Sequence, residues 1–162
     1  MIEGFTALDL AGFSALAAGD QRLLARLANG ERMRATTPLR YPGRRGSIVV
    51  ELTPGLAVAS GPRRVRISDG GDLIKSLEEQ GLDLSVDMVV SKTVFHAVKE
   101  VEGAQLGSGE LSIASAPEDV PADLWRFLQL VAELLGLRHS KYKDALLNLS
   151  RRSGSAPDLV NW

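Results

Sequence analysis

Three acidic residues could do chemistry if the fold brings them together. In the sequence SDGGD, Asp69 and Asp72 follow an alternating basic segment, and Glu51 lies in an earlier stretch rich in β-branched residues. Carboxylates are the ligands that Mg²⁺ prefers, so this set would suit a nuclease or phosphotransferase. The aspartates also suit a structural role, because Ser68 or Asp69 can cap a helix and Asp72 in its first turn favours the helix dipole. We predict capping, with no catalytic or metal-binding residue, and keep a Mg-dependent nuclease using Asp69, Asp72 and Glu51 as an alternative.

A group of arginines forms the second candidate site. Residues 30–66 contain eight arginines against two glutamates, whereas residues 67–136 contain thirteen acidic residues against four basic ones. Arg64 and Arg66 alternate with Val65 and Ile67, so a strand here would carry both arginines on the face away from the core. Solvated sheet faces often carry arginine, but such a face can also bind an anionic nucleic acid or protein. The candidate binding residues are Arg40, Arg44, Arg45, Arg63, Arg64 and Arg66.

Composition argues against several other kinds of chemistry. The chain has no cysteine, which excludes disulfides, a thiol nucleophile and cysteine-ligated zinc. His96 and His139 are far apart, and no serine stands in a nucleophile-elbow context, so a hydrolase triad is not predicted. With a net charge of −1, nothing drives the whole chain toward nucleic acid or an anionic membrane. Without a long apolar run or an N-terminal signal pattern, we expect a cytoplasmic protein of a bacterial cell or infected host, with no cofactor and no membrane contact.

The elements that must position these residues are helices followed by short strands. Apolar spacing predicts a helix in two pieces over residues 7–28, with Asp20 as the N-cap of the second. A helix should also follow SDGGD and stop at Gly81. Further helices are predicted at 86–102, 122–135 and 141–149, and strands at 47–52, 56–60, 63–68 and 110–115. We therefore predict one α+β domain, 1–150, with a small antiparallel sheet (a meander plus one later strand) packed by several helices, and a flexible tail, 151–162.

The helix at 122–135 raises a third possibility. Its regular apolar stripe is typical of a core helix. Apolar residues on more than one of its faces, near Trp125, leave surface for a second copy. A homo-oligomeric structural or interaction protein, such as a homodimer, therefore stays open.

The order of motifs resembles the bacterial and phage family called domain of unknown function 1828. The resemblance covers roughly residues 8–140. The matching pieces are Thr37-Pro38, the strand 48–52, Ser68-Asp69-Gly70-Gly71, Gly81-Leu82-Asp83, Gly109-Glu110-Leu111-Ser112-Ile113 and the helix 122–137. The resemblance implies a role in phage–host conflict rather than in metabolism, because members of this family are often phage-borne or linked to mobile elements.

Two departures from the family pattern bear on chemistry. The turn usually carries two adjacent acids before its glycine, but only Asp69 precedes Gly70 here, and the loop after Thr37-Pro38 reads RYPGRRG without an acid. A metal site built on those acids would be weakened in this chain. The leading expectation is therefore a non-enzymatic inhibitor or regulator of phage or mobile-element origin that binds an anionic surface through its arginine-bearing sheet face.

Overall fold

The computed structural model describes residues 4–41, 46–55, 64–79, 81 and 84–136. Within them, the strands are β1 (Thr6–Leu8), β2 (Met33–Thr36), β3 (Val49–Pro54), β4 (Val65–Ser68), β5 (Ala104–Gly107) and β6 (Glu110–Ser115). The helices are α1 (Leu10–Ala17), α2 (Gln21–Ala28), α3 (Asp72–Glu79), α4 (Met88–Lys99) and α5 (Val120–Leu135), and a 3₁₀ turn, Pro117–Asp119, precedes α5. The predicted strand 56–60, the predicted helix 141–149 and the predicted tail 151–162 lie outside these residues.

The strands form one sheet in the order β1-β2-β3-β4-β6-β5. Every neighbouring pair is antiparallel except β1 and β2, which are parallel because α1 and α2 form the crossover between them. The α+β prediction is confirmed. The predicted strands 47–52 and 63–68 correspond to β3 and β4, and these two form consecutive antiparallel pairs with β2, which was not predicted. The sequence missed β1, β2 and β5, and it extended the first helix over residues that form the end of β1. β3 pairs directly with β4 rather than through an intervening strand.

Aspartates in the N-cap position start three of the helices, α1, α2 and α4. Asp9 accepts a hydrogen bond from Gly12 N at α1, Asp20 accepts from Arg22 N and Leu23 N at α2, and Asp87 accepts from Val89 N and Val90 N at α4. These side chains bond the backbone N–H groups that a first helical turn leaves without partners. The predicted cap at Asp20 is therefore confirmed.

The helices cover one face of the sheet only. Side chains such as Val50, Leu52, Val65 and Ile67 are completely or almost completely buried, and they join residues of all five helices in one apolar cluster. Intervening positions, which point the other way, are partly or largely exposed, except for Ser68 at the end of β4, which is 1% exposed. We call this other side the open face, defined by Arg34, Glu51, Arg64, Arg66, Ser68 and Glu110. No helix among the described residues packs on it.

Candidate functional site: the open face of the sheet

Arg34 and Glu51 form an ion pair across neighbouring strands of the open face. The register sets Arg34 of β2 directly opposite Glu51 of β3. Arg34 Nε and Nη2 both donate to Glu51 Oε2, at 2.9 and 2.5 Å. Cross-strand pairs of opposite charge stabilise a sheet locally and fix both side chains in one orientation. The Arg34 guanidinium is therefore held in place.

Arg66 and Glu110 form the second ion pair of the open face. Arg66 Nη1 lies 2.9 Å from Glu110 Oε1, and Ser68 donates its hydroxyl hydrogen to the same oxygen. Hydrogen bonds from Arg66 and then Ser68 hold the pKa of Glu110 below its ordinary value, against the effect of partial burial. Two residues of β4 thus fix a carboxylate of β6.

The predicted arginines have different surroundings. Arg64 is exposed immediately before β4, and Arg40 is exposed after β2. Neither forms an ion pair with another described residue. Arg66 is ion-paired, with its side chain 36% exposed. Arg44, Arg45 and Arg63 lie outside the described residues. The structure therefore places Arg66 on β4 and Arg64 immediately before it, and does not show the rest of the predicted group beside them.

Phe5 is a contact that the sequence did not reveal. The Cζ atoms of Arg32 and Arg34 lie 4.7 and 4.6 Å from the centroid of its ring, within the range of cation–π attraction. Arg34 is thus held by both an aromatic ring and a carboxylate. Neither Arg32 nor Arg34 was in the predicted binding set, because nothing in their local sequence indicates these partners.

The three acids of the nuclease alternative line one cleft of the open face. Glu51, Asp69 and Asp72 border an opening of about 550 Å³. The other lining residues are Ala7, Leu8, Arg34, Thr36, Val49 and Gly70. Across the part of the chain that the structure describes, however, no group of three or more histidine, cysteine or acidic side chains is arranged to hold a metal ion. The cleft brings the predicted acids together without making a metal centre of them.

The hydrogen bonds of Asp69 explain why the three acids do not form a metal site although they line the same cleft. Its Oδ1 accepts from Gly71 N at 2.8 Å and from Leu111 N at 3.1 Å, and its Oδ2 accepts from Leu73 N at 3.0 Å. Burial raises the pKa of this carboxyl, although the three backbone donors act in the opposite direction. Through its bond to Leu73 N, Asp69 caps the first turn of α3, as predicted. Through its bond to Leu111 N, it also joins the start of that helix to β6. Gly70 and Gly71 complete the turn with φ of +67° and +88°, a left-handed backbone conformation that residues other than glycine rarely adopt.

The remaining candidates from the sequence are not part of the open face. His96 Nε2 lies 3.2 Å from Glu100 Oε1, one turn along α4. His139 lies outside the described residues. Tyr41, the single aromatic of the predicted arginine group, is buried with 6% of its surface exposed. It is therefore not available to stack on a base.

Replacing Glu110 by glutamine should make stability less sensitive to acid. Because the folded-state pKa of Glu110 is lowered, its stabilising effect is complete above the unfolded pKa, about 4.3, and is lost as the pH falls through the folded value. Urea unfolding from pH 6 down to about pH 3 should show a steeper loss for the wild type. Asp69, whose raised pKa acts in the opposite direction, is present in both proteins, but the variant lacks the Glu110 charge, which is the smallest cause of that rise. Equal slopes would contradict this role of Glu110.

Comparison with known families gives one match. The model of the family described as Domain of unknown function DUF1828 matches residues 56–134. The chain resembles this family. The match includes the SDGG turn and the Gly109-Glu110-Leu111 strand, whereas Thr37-Pro38 and the strand 48–52 precede it. No curated protein and no solved structure matches the chain. No described helix is long and apolar enough to cross a membrane.

The open face joins the residues that the DUF1828 model matches to the part of the chain before them. Arg66, Ser68, Asp69 and Glu110 lie within the matched residues. Arg34 and Glu51 come from β2 and β3, which precede the match. The cleft is therefore built from both parts, and any function of the whole face needs both.

Proposed function

We propose that the protein is a non-enzymatic binding protein of phage or mobile-element origin. It acts in host–phage conflict, in the cytoplasm of a bacterial cell or infected host, by occupying an anionic surface with its open face. One observation carries this proposal: the helices fill one side of the sheet, and no described helix covers the charged side. The origin and the setting rest on the resemblance to the DUF1828 family.

The ion pairs favour binding over catalysis. A catalytic carboxylate or a metal ligand needs oxygen lone pairs directed at the reacting group or ion. One oxygen of Glu51 already accepts two donors from Arg34, and both oxygens of Asp69 accept backbone N–H groups. The Asp69 carboxylate therefore stabilises the turn before α3, and the Glu51 carboxylate orients the guanidinium group of Arg34. That arrangement prepares a surface for contact with a partner.

The arginines retain donors for a partner. A guanidinium has five N–H donors, and Arg66 donates only from Nη1 in the contacts among described residues. Because Glu110 already orients Arg66, less side-chain entropy is lost when a partner's carboxylate binds. Arg64 adds an exposed positive charge immediately before the same strand. Together they suit bidentate recognition of carboxylates.

A protein fits the open face better than a nucleic acid does. Nucleic acid presents a regular row of phosphates, which calls for a continuous basic surface. Here Glu51 lies between Arg34 and Arg66, and Glu110 lies on the strand beyond Arg66; the two glutamate side chains are 21% and 30% exposed. Tyr41 is buried and Phe5 is covered by two arginines, so a base would find little to stack on. We therefore favour a partner protein whose acidic side chains stand opposite Arg64 and Arg66.

A pull-down from host lysate tests this proposal. The tagged full-length chain is used as bait, with and without prior nuclease treatment of the lysate. We expect it to retain the same protein partner in both samples, and high salt should release that partner because exposed charges are screened. Retention that disappears after nuclease treatment would indicate nucleic acid instead. No specific retention in either sample would contradict the proposal.

The shared cleft of Glu51, Asp69 and Asp72 keeps a Mg-dependent nuclease as the second candidate. Cleavage of nucleic acid that requires Mg²⁺ or Mn²⁺ and disappears in Asp72→Asn would support it. A melting temperature that neither ion changes, together with no cleavage, would exclude it. Asp72 is the better residue to replace, because Asp69 is needed for the fold.

A further inference from the structure

A second surface lies between α1 and α5, on the helical side of the sheet. It is a groove of about 380 Å³ lined by Leu10, Phe13, Ser14, Ala17, Ala18, Pro38 and Trp125. Trp125 is 47% exposed and Leu10 is 49% exposed, although both are large and apolar. The indole stands edge-on against the buried ring of Phe13, with centroids 5.7 Å apart and planes at 79°. Trp125 is therefore a fixed wall of the groove as well as an exposed group.

The groove contains no charged side chain. Its lining is aliphatic and aromatic apart from the hydroxyl of Ser14. The exposed positions along α1 and just after it are uncharged, and so are those of α5, apart from Glu133, which lies eight positions after Trp125; the uncharged ones are Leu10, Ala11, Ser14, Ala18, Ala122, Trp125, Gln129 and Ala132. The alanines and Ser14 are small and leave room for another helix to approach closely. The groove lining itself offers apolar contact and carries no charge.

We propose that this groove is the contact surface of a symmetric homodimer, with Trp125 of each copy packed into the groove of the other. A two-fold interface sets the same patch of both protomers face to face. Each charged residue in it would therefore lie close to the same residue of the other protomer. An uncharged patch avoids that repulsion. This patch also holds both a projecting indole and a hollow beside it, which makes it complementary to itself. A tryptophan buries about 150–250 Å² and is a frequent binding hot spot.

The exposed apolar side chains of α4 differ from the groove because charged side chains lie beside them. Met88 and Phe95 are 70% and 46% exposed, but Lys92 and Lys99 lie on the same side of that helix. A symmetric contact through α4 would bring lysines of the two copies together. Of these two apolar surfaces, the α1–α5 groove is the one that suits a second copy.

The dimer would add to the proposed function without depending on it. The groove lies on the helical side of the sheet, so two joined copies would each keep an open face available. Two linked binding faces raise the apparent affinity for a partner that presents repeated sites. Loss of the dimer and loss of partner binding are separate observations, because they involve opposite sides of the sheet.

Sedimentation velocity of the full-length chain, from micromolar to millimolar concentration, tests the dimer. We expect a reversible monomer–dimer equilibrium in the wild type. Trp125→Ala should weaken it by about 30-fold or more, the size of an aromatic hot spot. Phe95→Ala is the matched control, because its ring has nearly the same exposure, 46%, and lies on α4. Its dimer constant should equal that of the wild type.

A second variant guards against a loss of fold in Trp125→Ala. Ser14 is exposed and lines the groove, so Ser14→Glu adds a charge to each copy without removing packing. It should give a monomer with an unchanged circular dichroism spectrum and melting temperature. Three results would each overturn the proposal. These are a wild type that is monomeric at every concentration, a dimer that survives both groove variants, and a dimer that Phe95→Ala weakens equally.

Discussion

Asp69→Ala is expected to lower the free energy of unfolding by about 3–5 kcal/mol, the largest effect of any single polar residue described above. Asp69 is 1% exposed, and its carboxylate accepts hydrogen bonds from three backbone N–H groups, those of Gly71, Leu73 and Leu111. Alanine would leave these donors without a partner in a site from which water is largely excluded. Each buried unsatisfied donor costs about 1–3 kcal/mol, so the losses add to a substantial fraction of the stability of an ordinary domain.

Urea unfolding at neutral pH measures this effect, and Asp9→Ala is the graded control. Asp9 is exposed and accepts a single N–H, from Gly12, so its loss should cost about 1 kcal/mol. Asp69→Asn should recover only part of the stability, since the amide oxygen can replace one carboxylate oxygen but the amide nitrogen would face a donor. If Asp69→Ala costs no more than Asp9→Ala, then Asp69 does not join α3 to β6 as described.

Arg64→Glu is expected to weaken binding of the partner more than about tenfold, because like charges brought together at an interface cost several kcal/mol. The melting temperature should hardly change. Arg64 is exposed and forms no ion pair with another residue that the structure describes, so its reversal breaks no contact among them. Arg66→Glu is a poorer test, because it would set a carboxylate against Glu110 and disturb the fold.

Arg22→Glu is the matched control for the binding test. Arg22 is also an exposed arginine, but it lies on α2, on the helical side of the sheet. The two variants change the net charge equally, so a general charge effect would weaken both to the same extent. Binding that Arg64→Glu leaves unchanged, or that Arg22→Glu reduces equally, would contradict the role of the open face.

The sequence predicted the helices and strands that carry a local signal, such as a capping residue or a regular apolar spacing. Asp20 caps α2, the strand at 110–115 is β6, and the apolar stripe after 120 is α5. β1 has three residues and β5 has four, too few for alternation in the sequence to indicate a strand, and they pair with β2 and β6. Such short segments depend on a neighbouring strand that is distant in sequence or joined by a tight turn. Their own residues therefore did not indicate them.

The candidate site was predicted only in part, for a similar reason. Alternation along β4 was enough to place Arg64 and Arg66 on the side away from the core. Their partners depend on strand register, which joins Arg34 to Glu51 over 17 positions and Arg66 to Glu110 over 44. A count of charges along the chain showed a basic region followed by an acidic one. In the folded sheet, an arginine of the basic region is paired with a glutamate of the acidic region.

The position of Asp69 also has a consequence for the order of folding. α3 has eight residues, too few for a helix to persist alone in water. The carboxylate that starts this helix also accepts a hydrogen bond from Leu111, 42 positions further along. The bonds of this carboxylate to Gly71 and Leu73 are local, but its bond to Leu111 forms only after the chain has closed a long loop and paired β4 with β6. We expect α3 to become structured late, together with that strand pair, so the turn between them should be weakly formed in the folding transition state.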